Sequence, residues 1–367
     1  MTAELLPLEH DIRRRIAAAG PMPVGQYMAL CLSDPNHGYY TNANPLGVRG
    51  DFITAPEVSQ MFGELIGLWM ASVWQQMGAP ENVRIVELGP GRGTLLRDAL
   101  RAATIVRGFN DAVVLHLVEI NAVLKARQER TLEALTIPIY WHPTLRDVPG
   151  GPAIIIANEF FDALPVNQAV KTHYGWHERQ IEIGPEGNLA FTLAPAPIRH
   201  FERLLPETVR RAPDNSIFEW RAENMALDLG RRIARDGGAA LVIDYGHSES
   251  AVGDTLQAVA RHAYADPLTG AGTIDLTAHV DFQALARGAE AMGAKVFGAI
   301  AQSLFLRRLG IEARAGMLKT NASRDERAEI DAALERLTGT GRTGMGTLFK
   351  VMAFVQPAFG MPPGFAD

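Results

Sequence analysis

Apolar positions in the first eighty residues recur at helical spacing. From Ser59 to Met77 they return every three or four residues, which predicts a long helix with one buried face. Residues 4–33 predict two further helices, separated by the turn-forming segment Gly20–Pro23. We therefore expect residues 1–80 to form an N-terminal helical segment that also carries a long loop.

From Val83 onward, short apolar runs alternate with helical patterns. The runs are nearly continuous and rich in β-branched residues, which is typical of parallel strands covered on both faces of a sheet. This pattern predicts a doubly wound α/β fold with seven strands in one sheet, of which the last is antiparallel. The predicted strands are Val83–Leu88, Ala112–Val118, Ile137–Trp141, Ala153–Ala157, Ala239–Asp244, Ala294–Ala301 and Thr347–Val355.

Residues 163–218 interrupt this alternation with three strand-like runs between turn formers, which predict a β-rich insertion. Helices over Phe218–Arg235 and Val280–Met292 are expected to resume the alternation. The runs of the insertion are Val166–Lys171, Trp176–Ile183 and Leu189–Leu193. The sequence thus divides into four expected segments, which are residues 1–80, 81–162, 163–218 and 219–358.

Composition argues against several classes of protein. The 367 residues carry a net charge of −6, without the excess of Lys and Arg that a nucleic-acid-binding surface usually shows. Cys31 is the only cysteine, which excludes an intramolecular disulfide and a thiolate metal site. No apolar run approaches the roughly 18 residues that a membrane span needs. Because no apolar signal core opens the sequence, we expect no membrane insertion and a cytoplasmic location.

A glycine-rich turn follows the first predicted strand of the sheet. Glu87 lies near the end of that strand, and Gly89, Pro90, Gly91 and Gly93 lead into the next helix. Glycines at alternate positions allow a sharp turn and a close approach of the backbone to a ligand. The spacing favours S-adenosylmethionine (SAM) over a dinucleotide, whose sites prefer Gly-x-Gly-x-x-Gly. A tight connection without a ligand is the alternative.

A second acid, Glu119, follows the next predicted strand. A carboxylate in this place can accept hydrogen bonds from both hydroxyls of a ribose, as binding of an adenosine cofactor requires. The same placement serves NAD, so Glu119 indicates a nucleoside cofactor rather than SAM alone. A charge for the N-terminus of the following helix is the alternative interpretation.

Polar side chains gather after the fourth predicted strand. Asn158, Glu159 and Asp162 flank two phenylalanines there, where a methyl group would face its acceptor. Two carboxylates beside aromatic rings are costly to bury without partners, which favours a functional role over a capped turn. His279 is a candidate proton acceptor, with a hydrogen bond at a helix start as the alternative. Further acids are candidates for the same side: Asp51, Glu57, Glu64, Asp244 and Asp281. Three roles are open for Asp244, which are to orient an acceptor, to contact the loop that contains Glu159, or to form a tight turn; for Asp281 the alternative is a helix cap.

Five segments of the chain match one known family. They are Gly50–Glu64, Val86–Gly93, Asn158–Pro165, Val242–Gly246 and Asp275–Phe282. The sequence resembles the MidA family of SAM-dependent methyltransferases, the bacterial relatives of a mitochondrial complex I assembly factor. The similarity extends over nearly the whole chain and is far more specific than the glycine turn alone.

The resemblance implies a class I methyltransferase sheet, SAM as the cofactor and arginine in a protein as the methyl acceptor. It further implies a subunit of respiratory complex I as a protein partner. From the predicted fold, the N-terminal helical segment and the insertion are expected to build the acceptor side. Carboxylates that grip two nitrogens of a guanidinium would polarise charge away from the third nitrogen. Glu159 and Asp162 are the candidates for that pair, and His279 is the third candidate catalytic residue.

Other functions remain open from the sequence alone. They are methyl transfer to a small molecule, a non-enzymatic assembly factor with a SAM-binding fold, and an NAD-linked oxidoreductase. The glycine spacing and the antiparallel last strand disfavour the oxidoreductase. The intact glycine turn and the acids after the fourth strand argue against a degenerate site. The oligomeric state is also open, with a homodimer as one option.

Overall fold

A computed structural model describes residues 5–42, 54–221, 224–260, 263–341 and 344–366. The helices in these ranges are α1 (Pro7–Ala19), α2 (Val24–Ser33), α3 (Tyr39–Asn42), α4 (Ala55–Val58), α5 (Gln60–Gln76), α6 (Thr94–Ala103), α7 (Phe109–Ala112), α8 (Ala122–Thr131), α9 (Glu207–Arg210), α10 (Asn224–Asp236), α11 (Phe282–Ala291), α12 (Gln302–Arg308), α13 (Ile311–Lys319) and α14 (Arg324–Thr338). The strands are β1 (Met22–Pro23), β2 (Val83–Leu88), β3 (Val113–Val118), β4 (Ile139–His142), β5 (Ala153–Asn158), β6 (Val166–Thr172), β7 (Gly175–Ile183), β8 (Leu189–Leu193), β9 (Ile217–Arg221), β10 (Gly238–His247), β11 (Gln257–Ala260), β12 (Ala263–Ala265), β13 (Asp275–Thr277), β14 (Val280–Asp281), β15 (Lys295–Ala301) and β16 (Phe349–Val355).

These elements form two compact units. The small unit comprises residues 5–42, 162–221, 249–260 and 263–281, and the large unit comprises the other described residues. The small unit is therefore assembled from separate stretches of chain, which include the N-terminal helices and the β-rich insertion. The four segments expected from the sequence follow changes in the hydrophobic pattern along the chain rather than compactness, and that division stays a prediction.

The sheet of the large unit has the strand order β15-β16-β10-β5-β2-β3-β4. Strands β10, β5, β2, β3 and β4 are parallel, whereas β16 is antiparallel to both of its neighbours. The chain winds outward from β2 to β4 and then returns to place β5 on the other side of β2. This creates a topological switch point between β2 and β5, where ligands of open α/β sheets bind. The order confirms the expected doubly wound fold with seven strands and an antiparallel last strand.

Helix α5 supplies much of the core of the large unit. Its first turn is capped by Ser59, whose hydroxyl accepts a hydrogen bond of 3.2 Å from the backbone N–H two residues later. Phe62 and Trp69 on its apolar face are completely or almost completely buried. Helix α6 approaches closely at Gly67, where a Cβ would lie 2.1 Å from the carbonyl oxygen of Ala99. The helix predicted over this segment is therefore confirmed, and its glycine permits the helix crossing.

The small unit contains two antiparallel sheets. In one, the strand order is β1-β7-β6-β9 and β8 pairs with β7, and in the other β11 lies between β12 and β13. The three strands expected in the insertion are confirmed as β6, β7 and β8. Tyr27 and Met28 of α2 are buried in the same core as Val166 and Ile181 of these strands. The N-terminal helices and the insertion thus share one core, which local sequence patterns do not reveal.

The helix expected over Phe218–Arg235 is wrong in its first part, because β9 occupies its start and α10 begins only after it. Phe218 and Trp220 belong to an aromatic cluster. Glu219, between them, instead accepts hydrogen bonds from polar groups of the unit. This alternation has the period of two that defines a strand, and pairing with β6 stabilises it. Helix α11 likewise begins later than expected.

Candidate active site

The glycine turn lies between β2 and α6 in the large unit. Gly89, Gly91 and Gly93 have φ angles of 61°, 54° and 80°, in the left-handed region that favours glycine. A Cβ at Gly89 would lie 3.0 Å from Cδ2 of Phe160, so that position is also closely packed. The glycines therefore bring bare backbone to the carboxyl end of β2, and Pro90 restricts the turn between them.

Glu87 is buried at the end of β2, with 3% of its surface exposed. Burial raises the pKa of Glu87 to about 8, from an ordinary value of 4.5. Its Oε2 atom is buried and has no hydrogen-bond partner in the part of the chain that the structure describes. A buried acceptor beside a glycine turn fits a ligand that carries a positive charge or N–H donors.

Glu119 follows β3 and is held from two sides. Its Oε1 accepts a hydrogen bond of 2.7 Å from the backbone N–H of Asn121, and its Oε2 accepts one of 3.1 Å from Nε2 of Gln128. Burial raises the pKa of Glu119, while these hydrogen bonds oppose that rise. Gln128 also donates to the carbonyl oxygen of Gly91 at 2.8 Å. The sequence did not indicate Gln128, since a glutamine within a helix has no distinguishing pattern.

The loop after β5 carries two of the candidate site residues. Glu159 has a φ angle of 49°, which is unusual for a residue with a Cβ. Its Oε1 accepts hydrogen bonds from the backbone N–H of Ala55 at 3.0 Å and from Nδ2 of Asn158 at 3.3 Å. The other amide atom of Asn158, Oδ1, is buried and has no partner among the described residues. Asn158 therefore resembles Glu87 in offering a buried acceptor at a strand end.

Asp244 fixes the same loop from β10. It is completely buried, and its Oδ2 accepts hydrogen bonds from the backbone N–H groups of Phe160 at 3.2 Å and Phe161 at 2.9 Å. Its Oδ1 accepts from the backbone N–H of Tyr245 at 2.9 Å. Of the roles left open for Asp244, the structure therefore supports contact with the loop that contains Glu159.

The three further acids of the N-terminal segment have different surroundings. Glu57 accepts a hydrogen bond of 2.7 Å from Oγ1 of Thr94, the first residue of α6. Glu64 forms ion pairs with Arg314 at 2.7 Å and Arg101 at 3.1 Å. These two cations neutralise Glu64, which therefore ties helices together rather than facing an acceptor. Asp51 lies outside the described residues.

In the small unit, one arginine holds the segments that carry Asp162 and His279. Arg221 donates to the carbonyl oxygens of Asp162 at 3.2 Å, Leu164 at 3.1 Å, Ala278 at 2.7 Å and His279 at 2.7 Å. The backbone N–H of Ala278 also donates to the carbonyl oxygen of Asp162 at 3.1 Å. Two residues that are far apart in sequence are thereby brought together, and nothing in the sequence indicated Arg221.

Further contacts surround this cluster. The backbone N–H of His279 donates to Oγ1 of Thr255 at 2.9 Å, and Asp281 accepts a hydrogen bond of 2.6 Å from Oγ of Ser250. Tyr40 donates its hydroxyl to the carboxylate of Asp275, at 3.1 Å from Oδ1. Burial and the charges of Asp275 and Asp162 raise the pKa of Tyr40 well above its usual value, so Tyr40 stays a hydrogen-bond donor. The cluster thus gathers acids, a phenol and an imidazole in one unit.

Fold and site together define a class of protein. A doubly wound sheet with an antiparallel strand, a glycine turn after a central strand and acids at the ends of β2 and β3 are the features of a nucleoside-dependent methyltransferase. The residues of the large unit fit SAM, because Glu87 and Asn158 each present a buried acceptor atom without a partner among the described residues.

The chain belongs to the family of S-adenosyl-L-methionine-dependent methyltransferases, which matches residues 65–300. It is 38% identical over 375 residues to the mitochondrial protein arginine methyltransferase NDUFAF7 homologue of Drosophila melanogaster, covering 94% of this chain and 84% of that protein. The mitochondrial protein arginine methyltransferase NDUFAF7 of Rattus norvegicus is 39% identical over 346 residues, covering 86% of this chain and 77% of that protein. These findings confirm the resemblance seen in the sequence.

A similar solved structure supports the assignment of SAM as the cofactor. The chain is similar to a crystal structure from Burkholderia thailandensis that was determined bound to S-adenosyl-homocysteine. The TM-score is 0.85 and the identity 28%, with 100% of this chain and 98% of that chain covered. The chain is therefore a methyltransferase that uses SAM, and the expected class and cofactor are confirmed.

The relatives correct the expected location. The fruit-fly, rat and human proteins are all named as mitochondrial, which contradicts the cytoplasmic expectation. That expectation was wrong because the lack of an apolar signal core does not distinguish a cytoplasmic protein from an organellar one. Every helix in the described ranges falls short of the length and hydrophobicity that a membrane span needs.

Proposed function

We propose that this methyltransferase transfers the methyl group of SAM to an arginine side chain of a protein. The observation that carries the proposal is the similarity, over 94% of this chain, to a relative named as a protein arginine methyltransferase. The finer proposal of a respiratory complex I subunit as the acceptor is based on the resemblance to the MidA family. Both levels of the proposal are open to direct measurement.

The proposed cofactor residues all belong to the large unit. Glu87 and Asn158 are assigned to the amino acid part of SAM, because a buried carboxyl or amide oxygen suits an ammonium group. Glu119 is assigned to the ribose. Gly89, Pro90, Gly91 and Gly93 form the turn that the bound ligand would contact. When bound, SAM supplies a methyl group on a positively charged sulfur, which an incoming nitrogen can attack in line.

The proposed catalytic residues are Glu159, Asp162 and His279. A guanidinium is a poor nucleophile, because its lone pairs are delocalised and it stays protonated with a pKa above about 12. Carboxylates that accept its N–H bonds would concentrate electron density on the attacking nitrogen and can take up the proton that this nitrogen loses. Glu159 and Asp162 are proposed for these roles in their respective units, and His279 as a further proton acceptor.

The test is methyl incorporation into protein from labelled SAM, with the acceptor found by mass spectrometry. Extracts from a strain that lacks this protein supply unmethylated acceptors, and we expect methylarginine to appear when the wild-type protein is added. Glu159→Gln should lower incorporation at least about a hundredfold, because the amide cannot accept a proton. The same variant keeps an acceptor oxygen for the N–H of Ala55, so binding of S-adenosylhomocysteine should persist.

A matched change, Glu129→Gln on the exposed side of α8, should leave incorporation unchanged. Labelling of lysine, or of small molecules only, would contradict arginine as the acceptor. Labelled arginine in proteins other than complex I subunits would leave the main proposal standing and reject the finer one. Unchanged incorporation with Glu159→Gln would reject Glu159 as a catalytic residue.

A further inference from the structure

A glutamine side chain is completely buried between the glycine turn and Glu119, the residue proposed to bind the ribose. Gln128 lies on α8 with none of its surface exposed. Its Nε2 donates to the carbonyl oxygen of Gly91 at 2.8 Å and to Oε2 of Glu119 at 3.1 Å. One amide nitrogen therefore uses both of its hydrogens to join two parts of the cofactor site that are distant in sequence.

The orientation of this amide is set by a tryptophan. Nε1 of Trp141, on β4, donates to Oε1 of Gln128 at 2.8 Å. An indole nitrogen can only donate, so the oxygen of the amide must face Trp141 and the nitrogen must face Glu119. A flipped amide would place its oxygen against a carbonyl and a carboxylate, with all three groups acting as acceptors. Trp141 thus fixes which end of Gln128 meets the carboxylate.

The carboxylate of Glu119 is in turn anchored at both oxygens. Asn121 holds Oε1 through its backbone N–H at 2.7 Å, and Gln128 holds Oε2. The terminal torsion of a glutamate is soft, so one anchor alone would leave the plane of the carboxylate free to rotate. Two anchors fix that plane and so fix the direction in which its remaining lone pairs can accept hydrogen bonds.

We propose that Gln128, oriented by Trp141, is a positioning residue that determines recognition of the ribose hydroxyls of the cofactor through Glu119. The proposal rests on the assignment of Glu119 to the ribose and deepens it. A fixed carboxylate matches the fixed geometry of a ribose diol without further ordering on binding, which is the general benefit of preorganisation. The bond from Gln128 to Gly91 holds the glycine turn in register with that carboxylate.

The experiment compares the binding of S-adenosylhomocysteine and its 2′-deoxy analogue by isothermal titration calorimetry. The wild-type protein should bind the ribose form about tenfold more tightly, because hydrogen bonds to a charged group are among the stronger ones. In Gln128→Leu, this ratio should fall to about two, since the carboxylate is no longer fixed. Trp141→Phe keeps the ring position filled and should give an intermediate ratio.

Two matched controls separate positioning from packing. Gln302→Leu removes another completely buried glutamine, which donates to the carbonyl oxygen of Leu337 at 2.9 Å. Trp74→Phe removes another indole donor, bound to the carbonyl oxygen of Pro80 at 2.9 Å. Both should lower thermal stability and keep the wild-type ratio of affinities.

An unchanged ratio in Gln128→Leu, with both ligands weakened equally, would overturn the proposal and leave Gln128 a packing residue. If Gln128→Leu does not fold, Trp141→Phe decides the question, and a wild-type ratio there overturns the proposal. A wild-type protein that does not distinguish the two ligands would also overturn it. No methyl acceptor is present in this experiment, so its outcome is independent of whether arginine is the acceptor.

Discussion

The large and small units hold their proposed site residues in different ways. In the large unit, Glu87, Glu119 and Asn158 lie at or next to the carboxyl ends of parallel strands, where the sheet itself determines their positions. In the small unit, the segments of Asp162 and His279 are joined by the side chain of Arg221. The first arrangement follows from regular secondary structure and the second from a long-range polar contact. Substitutions in the two units should therefore have different effects on ligand binding and on methyl transfer.

The largest expected effect concerns the glycine turn. Gly91 has a φ angle of 54°, which a β-branched residue rarely adopts. Gly91→Val should weaken binding of S-adenosylhomocysteine at least about a hundredfold, through strain in the turn and a side chain where the ligand approaches. Calorimetry measures this change directly.

The control is Gly78→Val, which also places valine at a positive φ angle, 84°, but with nothing within 4 Å of its Cβ. It should lower thermal stability by a similar amount without weakening the binding of S-adenosylhomocysteine. Equal affinities for the two variants would show that the turn does not contact the cofactor.

The next largest effect is expected at Arg221, where a substitution should lower activity and stability while ligand binding by the large unit persists. Arg221→Met should lower the free energy of unfolding by about 3 kcal/mol, because up to four carbonyl oxygens lose a charged donor. Methyl transfer should fall at least about tenfold as Asp162 and His279 lose their alignment. Binding of S-adenosylhomocysteine should stay within about twofold, because every proposed cofactor residue lies in the large unit.

A lysine at this position should not restore activity, since one ammonium group cannot replace the planar fork of donors. Arg235→Met, at an exposed arginine that forms an ion pair with its neighbour Asp236, is the matched control and should change neither quantity. A loss of ligand affinity equal to the loss of activity in Arg221→Met would contradict the separation between the units.

The same contrast explains how much the sequence could predict. The seven-stranded sheet, the glycine turn and Glu119 follow from apolar runs, glycine spacing and strand ends, all of which are local signals. Gln128, Asp244 and Arg221 each form at least one hydrogen bond to a residue 37 to 84 positions away, which no local pattern records. The error at β9 has the same origin, because pairing with β6 decides a segment whose spacing also suits a helix. The sheet and the glycine turn were therefore predictable in outline, and the side chains that hold neighbouring segments through long-range hydrogen bonds were not.

The smallest expected effect concerns Glu87. Its replacement should stabilise the ligand-free protein but weaken ligand binding. Burial without a partner for Oε2 disfavours the charged carboxyl in the folded state, which is why its pKa rises to about 8. Above the ordinary value of 4.5 the unfolded chain is ionised while the folded protein keeps the proton, so this group destabilises the fold increasingly as pH rises from about 4.5 to about 8. Glu87→Gln removes that penalty, which is about 4 kcal/mol at pH 8 and under about 1 kcal/mol at pH 5. The buried amide has a desolvation cost of its own, so the net gain in the free energy of unfolding should be about 1 to 2 kcal/mol at pH 8, with no gain at pH 5.

The gain in stability should come with a loss of ligand affinity, and the pair of results is what tests the assignment of Glu87. An amide cannot supply the negative charge that an ammonium group attracts, so Glu87→Gln should weaken S-adenosylhomocysteine about tenfold at pH 8. Thermal unfolding at pH 5 and pH 8, with and without the ligand, measures both effects in one series. Glu129→Gln, at an exposed position of α8, should leave all four melting temperatures unchanged. Residues that bind charged ligands commonly destabilise the empty site, so both effects are expected together if Glu87 binds the ligand. A variant that gains stability at pH 8 but binds as tightly as wild type would reject the assignment of Glu87 to the cofactor.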